Sequence, residues 1–130
     1  MSGEGAIKII PMLSLRNAAA ASEFYQSAFG AHEVSRVTSP QGLTVILLAI
    51  GGAEFGAVDE APHVGNISPE TLGGTSVRVS LQVADPDAVA QRAIDVGAEL
   101  IFPVEDQPYG MRQGRVQDPF GHHWLIGRPL

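Results

Sequence analysis

Leu13-Ser14-Leu15-Arg16-Asn17 closes an alternating apolar run with a helix-capping residue, and the chain repeats this pattern at Leu81-Gln82-Val83-Ala84-Asp85. In both copies a segment with helical spacing follows the cap. The segments stop at glycines, in Phe29-Gly30-Ala31 and in Val96-Gly97-Ala98. This repetition predicts a duplicated strand–helix–strand unit. Two such units placed face to face would share one concave surface, on which a ligand could bind.

Both halves are predicted to continue as β-α-β-β-β. The first has a helix ending near residue 29 and strands at residues 7–15, 31–38, 43–50 and 53–58. The second has strands at residues 76–83, 99–104, 111–117 and 122–126. Residues 59–75, rich in proline and glycine, predict a long connection between the halves. We therefore expect an α+β fold, a single domain of residues 1–130 in which two βαβββ modules, at about 7–58 and 76–128, form a cupped mixed sheet with helices on the convex side.

Composition limits the partners of the protein. Its 8 lysines and arginines against 14 aspartates and glutamates give a net charge of −6, which disfavours nucleic acids and anionic membranes. The longest apolar run, residues 45–50, is too short to cross a bilayer, and no signal-peptide pattern opens the sequence. The absence of cysteine excludes disulfides, thiolate metal sites and a cysteine nucleophile. We expect a cytoplasmic protein with a small-molecule ligand.

The chain also carries motifs of a known family. It resembles the glyoxalase/bleomycin-resistance/dioxygenase family, or vicinal oxygen chelate superfamily, in its doubled unit, in the helix ends Phe24-Tyr25-x-x-x-Phe29-Gly30 and Val96-Gly97-Ala98-Glu99, and in the closing run Asp118-Pro119-Phe120-Gly121-His122-His123-Trp124. The closing run is most similar to that of the PhnB-like branch. The resemblance covers residues 7–128 and implies the cupped fold, small-molecule ligands and a homodimer, across which the cups of this family are commonly completed.

The same resemblance bears on metal binding. In catalytic members of the family, a divalent metal is held by the first strand of each half and by a Glu on the last strand. The matching positions in this chain are Ile10, Arg78 and Leu125. An apolar side chain donates no electron pair and a guanidinium stays positively charged, so these residues do not suit a metal ion. We expect neither a metal nor another cofactor at these positions.

Strand alternation predicts which side chains face the concave side, because residues i and i+2 share a face. In the first strand of the first half, the residues on the concave side are Ile10, Met12 and Ser14. In the first strand of the second half, they are Arg78, Ser80 and Gln82. An arginine among polar neighbours in a cup suits an anion or a carboxylate. Alternatively, Arg78 pairs with an internal acid or lies at a dimer contact.

His123 is the candidate catalytic residue. It faces the cup together with Leu125 if Trp124 and Ile126 pack under the helices. It would then serve as a general base or a hydrogen-bond donor near neutral pH. Alternatively, it is a strand histidine with a structural hydrogen bond. The preceding Asp118-Pro119-Phe120-Gly121 has the residues of a type I turn and is interpreted as structural.

Other residues complete the candidate ligand site. An apolar pocket that stacks a planar ligand could be lined by Phe55, Phe102, Tyr109 and Met111, although such residues commonly belong to a core. Arg115 and Gln117 share a strand face and can add polar contacts. The predicted ligand-binding residues are Arg78, Ser80, Gln82, Met12, Phe55, Tyr109 and Arg115.

Three functions are compatible with these residues, beside a purely structural or regulatory role. The first is binding or sequestration of an apolar small molecule. Such a ligand could also carry a positive charge, which the net negative charge of the protein would attract. The second is a metal-independent enzyme of isomerase or lyase type, with Arg78 as anchor and His123 as base. The third is a metalloenzyme with a relocated site at His123, Glu54 and a loop histidine such as His63. The fold alone does not choose among them.

Overall fold

The chain forms two β-α-β-β-β halves in the computed structural model, which describes residues 5–130. The first half consists of β1 (Met12–Leu15), α1 (Ala18–Phe29), β2 (His32–Thr38), β3 (Thr44–Ile50) and β4 (Ala53–Asp59). The connection contains a 3-10 helix, Pro62–Val64, and α2 (Pro69–Leu72). The second half consists of β5 (Arg78–Gln82), α3 (Pro86–Asp95), β6 (Glu99–Asp106), β7 (Met111–Gln117) and β8 (His123–Pro129). The first four residues of the predicted domain lie outside the described residues.

The strands form two four-stranded mixed sheets. The N-terminal sheet has the order β1-β4-β3-β2, and the C-terminal sheet has the order β5-β8-β7-β6. In each sheet the first strand of the half runs parallel to its last strand, and the other neighbours are antiparallel. Leu13 and Leu81 occupy equivalent buried positions on the helix side. The predicted α+β class and the placement of the helices are thus confirmed.

Both long helices begin at the predicted caps. The Asn17 side chain accepts a hydrogen bond from the backbone N–H of Ala20 at 3.0 Å, and that of Asp85 accepts one from Ala88 at 3.1 Å. These bonds satisfy N–H groups that have no partner within the helix. α1 ends at Gly30, which has φ 68° and therefore the left-handed conformation that glycine adopts without strain. α1 packs on the N-terminal sheet, α3 packs on the C-terminal sheet, and the two helices contact each other.

One aromatic cluster joins the two halves. Tyr25 of α1, Phe55 of β4 and Trp124 of β8 contact one another, with ring centroids 5.3–5.4 Å apart. Asp118, in the turn before β8, accepts hydrogen bonds from Tyr25 Oη at 2.6 Å and from Trp124 Nε1 at 3.0 Å. The Gly121 N–H donates to the Asp118 carbonyl, which confirms the structural turn. The helix-side faces of both sheets therefore line a single core.

β1 is shorter than the sequence predicts. Its parallel partner β4 begins at Ala53, and the pairing starts where Met12 lies opposite Gly56. Residues well before Met12 have no strand beside them, and Pro11 has no N–H to donate. Ile7 and Ile9 are accordingly 92% and 90% exposed.

The connection between the halves is more structured than a loop. The Glu60 side chain accepts hydrogen bonds from Ser68 N at 2.8 Å and from Thr71 Oγ1 at 2.9 Å, which hold the start of α2. These bonds also lower the pKa of Glu60, the bond from the Ser68 backbone most strongly. A helix of four residues is too short to leave a periodic apolar pattern, so the sequence gives no sign of it.

Candidate functional site

The candidate site lies on the open face of the C-terminal sheet, the face turned away from α3. Cross-strand partners share a face, and Trp124, Ile126 and Val116 are buried on the helix side. The alternate residues therefore form the open face: Arg78, Ser80, Gln82, Gln113, Arg115, Gln117, His123 and Leu125. The predicted facing is confirmed for Arg78, Ser80, Gln82, His123 and Leu125, and Arg115 and Gln117 share a face as predicted. His122 points to the other side, where its Nε2 donates to the Ser14 carbonyl at 2.9 Å.

The open face of the N-terminal sheet has a different character. It carries mainly apolar side chains, Met12, Val37, Val45, Leu47 and Val58. Three of these are substantially exposed: Val37 (64%), Met12 (55%) and Val45 (40%). The two open faces of one chain thus differ sharply, one apolar and one polar.

Arg115 and His123 form the central contact of the polar face. Arg115 Nε donates to His123 Nδ1 at 3.0 Å, so the neutral imidazole carries its proton on Nε2. Burial lowers the pKa of His123, and the neighbouring Arg115 charge lowers it further. His123 is therefore neutral near pH 7 and offers an N–H, which makes it a donor and not a base at Nε2.

Two arginines of this face lack an acidic partner. Arg78 lies beside His123 in the parallel register of β5 and β8. Within residues 5–130, neither Arg78 nor Arg115 lies within 4.0 Å of a carboxylate oxygen. On the helix side of the same sheet, by contrast, Arg112 binds Asp87 at 2.7 Å and Asp106 at 2.9 Å. The alternative of an internal ion pair for Arg78 is thus not found in the described part of the chain.

A cavity of about 280 Å³ opens beside Arg115. Its other lining residues include Phe102, Glu105, Tyr109, Gln113 and Leu125. Phe102 and Tyr109 are 58% and 64% exposed, unusual values for large aromatic side chains. The cavity therefore combines uncovered aromatic faces with charged and amide groups, as ligand sites do.

Not all predicted ligand-binding residues lie at this cavity. Tyr109 and Arg115 line it, whereas Arg78, Ser80 and Gln82 lie further along the same open face. Met12 lies on the other sheet, in an apolar groove of about 340 Å³ that also involves Leu72 and Val77.

Phe55 must be removed from the candidate ligand-binding residues. It is only 4% exposed and packs on Tyr25 and Trp124, because its strand position faces α1. The interpretation of Phe55 as a core residue, left open by the sequence, is the one observed.

Glu105 and Gln113 are cavity residues that sequence reasoning missed. Gln113 shares the parity of Arg115 and Gln117 on β7, so strand alternation alone could have found it. Glu105 could not be found in this way, because β6 changes register twice, between Leu100 and Glu105. These irregularities move side chains off the simple alternation.

The metal positions of the resembled family do not fit a metal in this chain. Ile10 and Leu125 are apolar, and Arg78 is a cation on the polar face. The relocated metal site is not supported either. Glu54 lies on the N-terminal sheet, where its Oε1 is 3.4 Å from Lys8 Nζ, whereas His123 lies on the C-terminal sheet. No group of three metal-binding side chains comes together within residues 5–130.

The two β-α-β-β-β halves have the fold of the vicinal oxygen chelate superfamily, and comparison with known proteins assigns the chain to that family. The model of the Glyoxalase/Bleomycin resistance protein/Dioxygenase superfamily matches residues 11–126, and the chain belongs to that superfamily.

Individual relatives add the following. An uncharacterised protein of Mycobacterium bovis is 42% identical over 124 residues, covering 92% of this chain and 82% of that protein. TioX from a Micromonospora species superposes with a TM-score of 0.76 at 24% identity, covering 96% of this chain and all of that one. The fosfomycin resistance protein FosX of Listeria monocytogenes superposes with a TM-score of 0.74 at 15% identity, covering 96% of this chain and 94% of that one. The two structural likenesses show the fold alone.

None of the helices in the described residues is long and apolar enough to cross a membrane.

Proposed function

We propose that the protein binds a small organic molecule through an acid group held on the open face of the C-terminal sheet. One observation carries this proposal: Arg78 and Arg115 flank a neutral His123 on one face, and neither arginine has a carboxylate partner within residues 5–130. A guanidinium without an acidic partner binds carboxylates and phosphates through strong, charge-assisted hydrogen bonds.

The local charge outweighs the net charge in this proposal. The chain as a whole carries −6, which favours a cationic ligand at long range. Screening limits that effect to about 8 Å at physiological ionic strength, so groups in direct contact decide what binds. On the polar face these groups include two hydrogen-bond donors, the Arg115 guanidinium and the Nε2–H of His123.

The finer assignments belong to the same proposal. The PhnB-like branch is supported by residues 118–124, and a homodimer by the exposed apolar side chains on the open face of the N-terminal sheet. Such a patch is commonly covered by another protein surface. We place the dimer in the cytoplasm. Light scattering coupled to size-exclusion chromatography should return twice the mass of one chain, and a monomer would remove the dimer from the proposal.

A metal-independent isomerase or lyase is the second candidate. Because His123 Nδ1 accepts a bond from Arg115, the Nε2–H of the neutral ring can donate a hydrogen bond to an anionic intermediate. An enzyme of this kind would use His123 as a hydrogen-bond donor and Arg78 as an anchor. The observation argues against His123 as a base.

Calorimetric titration with 3-phenylpropionate and its neutral amide tests the binding proposal. The carboxylate should bind the wild-type protein more tightly than the amide, because a charge-assisted hydrogen bond contributes about 1.5–3 kcal/mol. Arg115→Met should weaken carboxylate binding about tenfold and Arg78→Met several-fold, without effect on the amide. Arg128→Met is the matched control, because Arg128 pairs in register with Arg112 on the helix side. Equal binding of both compounds, or unchanged affinity in Arg115→Met, would show that the proposal is wrong.

A further inference from the structure

We propose that the ligand is a zwitterion, a molecule that carries an acid group and a protonated amine on an aromatic skeleton, as an aromatic amino acid does. This inference rests on the binding function proposed above. It is carried by the side chains that line the 280 Å³ cavity, which include a cation and an anion without ion-pair partners.

The two charges are Arg115 and Glu105. Arg115 lies opposite Phe102, and Glu105 lies opposite Gln113, in adjacent rows of one face. Both side chains line the cavity, yet neither takes part in an ion pair within residues 5–130. The Arg115 side chain instead donates to His123. Opposite charges that share a cavity without neutralising each other are complementary to a ligand that brings both charges.

The presence of Glu105 also argues against a simple anion. A carboxylate on the cavity wall repels a ligand that carries only negative charge. An amine on the same ligand would convert that repulsion into attraction. Arg115 and Glu105 together therefore select a ligand whose own charges cancel.

The neutral polar groups divide in the same way. Tyr109 Oη donates to Gln113 Oε1 at 2.9 Å. This bond leaves the Gln113 NH₂ group to donate to an acid group and the Tyr109 oxygen lone pairs to accept from an amine. The cavity lining thus offers a neutral donor and a neutral acceptor beside its two charged groups.

The aromatic side chains complete the match. Phe102 and Tyr109 expose their ring surfaces at the cavity and can stack on a planar group of the ligand. The negative face of an aromatic ring also attracts an ammonium group. An aromatic amino acid would use the rings, the cation and the anion at once.

The test compares three probes by calorimetry: L-phenylalanine, 3-phenylpropionate, which lacks the amine, and 2-phenylethylamine, which lacks the acid. Phenylalanine should bind about tenfold more tightly than either single-charge analogue, because each loses one charge-assisted hydrogen bond. Glu105→Gln should abolish the preference for phenylalanine over 3-phenylpropionate. Glu99→Gln, on the same strand and face but outside the cavity lining, should preserve it.

The outcomes separate this inference from the binding proposal. If 3-phenylpropionate binds at least as tightly as phenylalanine, the zwitterion inference is wrong and the acid-binding function stands. If Glu99→Gln removes the preference as fully as Glu105→Gln does, the preference comes from the overall negative charge of the surface and not from Glu105, and the inference is also wrong. If neither acid binds, both proposals are wrong.

Discussion

Asp118 shows how a buried charge is satisfied in this protein. Its Oδ2 accepts hydrogen bonds from Tyr25 Oη and Trp124 Nε1, and its Oδ1 accepts from the N–H groups of Phe120 and His122 at 3.0 Å. Burial raises the pKa of Tyr25, and the Asp118 charge raises it further, so the phenol stays protonated and donates. The four donors thus satisfy the hydrogen-bonding capacity of a carboxylate that burial removes from water.

Tyr25→Phe should therefore destabilise the protein by about 2 kcal/mol, because the substitution removes one donor to a buried charge. Urea denaturation followed by tryptophan fluorescence measures the free energy of unfolding. Tyr109→Phe is the matched control: its hydroxyl is exposed and, within residues 5–130, bonds only to Gln113, so the expected change is below about 0.5 kcal/mol. Equal effects of the two substitutions would contradict this account of Asp118.

At the scale of the element, Gly114 allows β7 to approach the irregular part of β6. A Cβ at this position would lie 2.7 Å from Val104 N and 2.8 Å from Phe102 O. Both atoms belong to the backbone, which cannot turn away as a side chain can. The irregularity that carries Phe102 and Glu105 at the cavity thus depends on a missing side chain on the next strand.

Gly114→Ala should cost at least about 2 kcal/mol of stability, because the strands must separate to admit the methyl group. Gly56→Ala provides the comparison on the other sheet. There the nearest atoms, 2.5 Å away, are the Sδ and Cε of Met12, whose flexible side chain can move. Thermal and urea denaturation of both variants should show the larger loss for Gly114→Ala, and the reverse order would contradict this interpretation.

The long periodic elements could be predicted from the sequence, and the short ones could not. The caps at Asn17 and Asp85 fix the starts of α1 and α3, because capping chemistry is local. The start of β1 depends instead on where β4 begins, a contact between residues far apart in the chain. The sequence likewise predicted a loop in place of α2, because this helix has only four residues and its start is held by hydrogen bonds to the Glu60 side chain.

At the scale of the whole molecule, the positions that hold a metal in catalytic members of the family carry no metal-binding side chains in this chain. Ile10, Arg78 and Leu125 cannot compete with water for Zn²⁺, Ni²⁺ or Mn²⁺. Calorimetric titration of the untagged protein with each ion should show only weak association. A one-to-one site of micromolar or higher affinity that persists in His32→Gln and His63→Gln variants would contradict this prediction.

For the candidate site, the sequence could predict which side chains face the cup, but not which of them contact one another. Alternation indicated that Arg78, Arg115 and His123 face the cup, because the paired residues of β5, β7 and β8 follow it without irregularity. It could not show that Arg115 binds His123, because that bond depends on the register of β7 and β8 and on the side-chain conformations. It could not show that Met12 lies at a separate groove, because that groove is lined by residues of both halves.

The bond between Tyr25 and Asp118 also sets the order in which a newly made chain can finish folding. Its donor lies on the first helix, and its acceptor comes just before the last strand. Such a contact closes most of the chain into one loop, so it forms after the local structure of both halves. On the ribosome, the aromatic surface of the first half therefore stays uncovered until β8 has emerged, and only then can the core be completed.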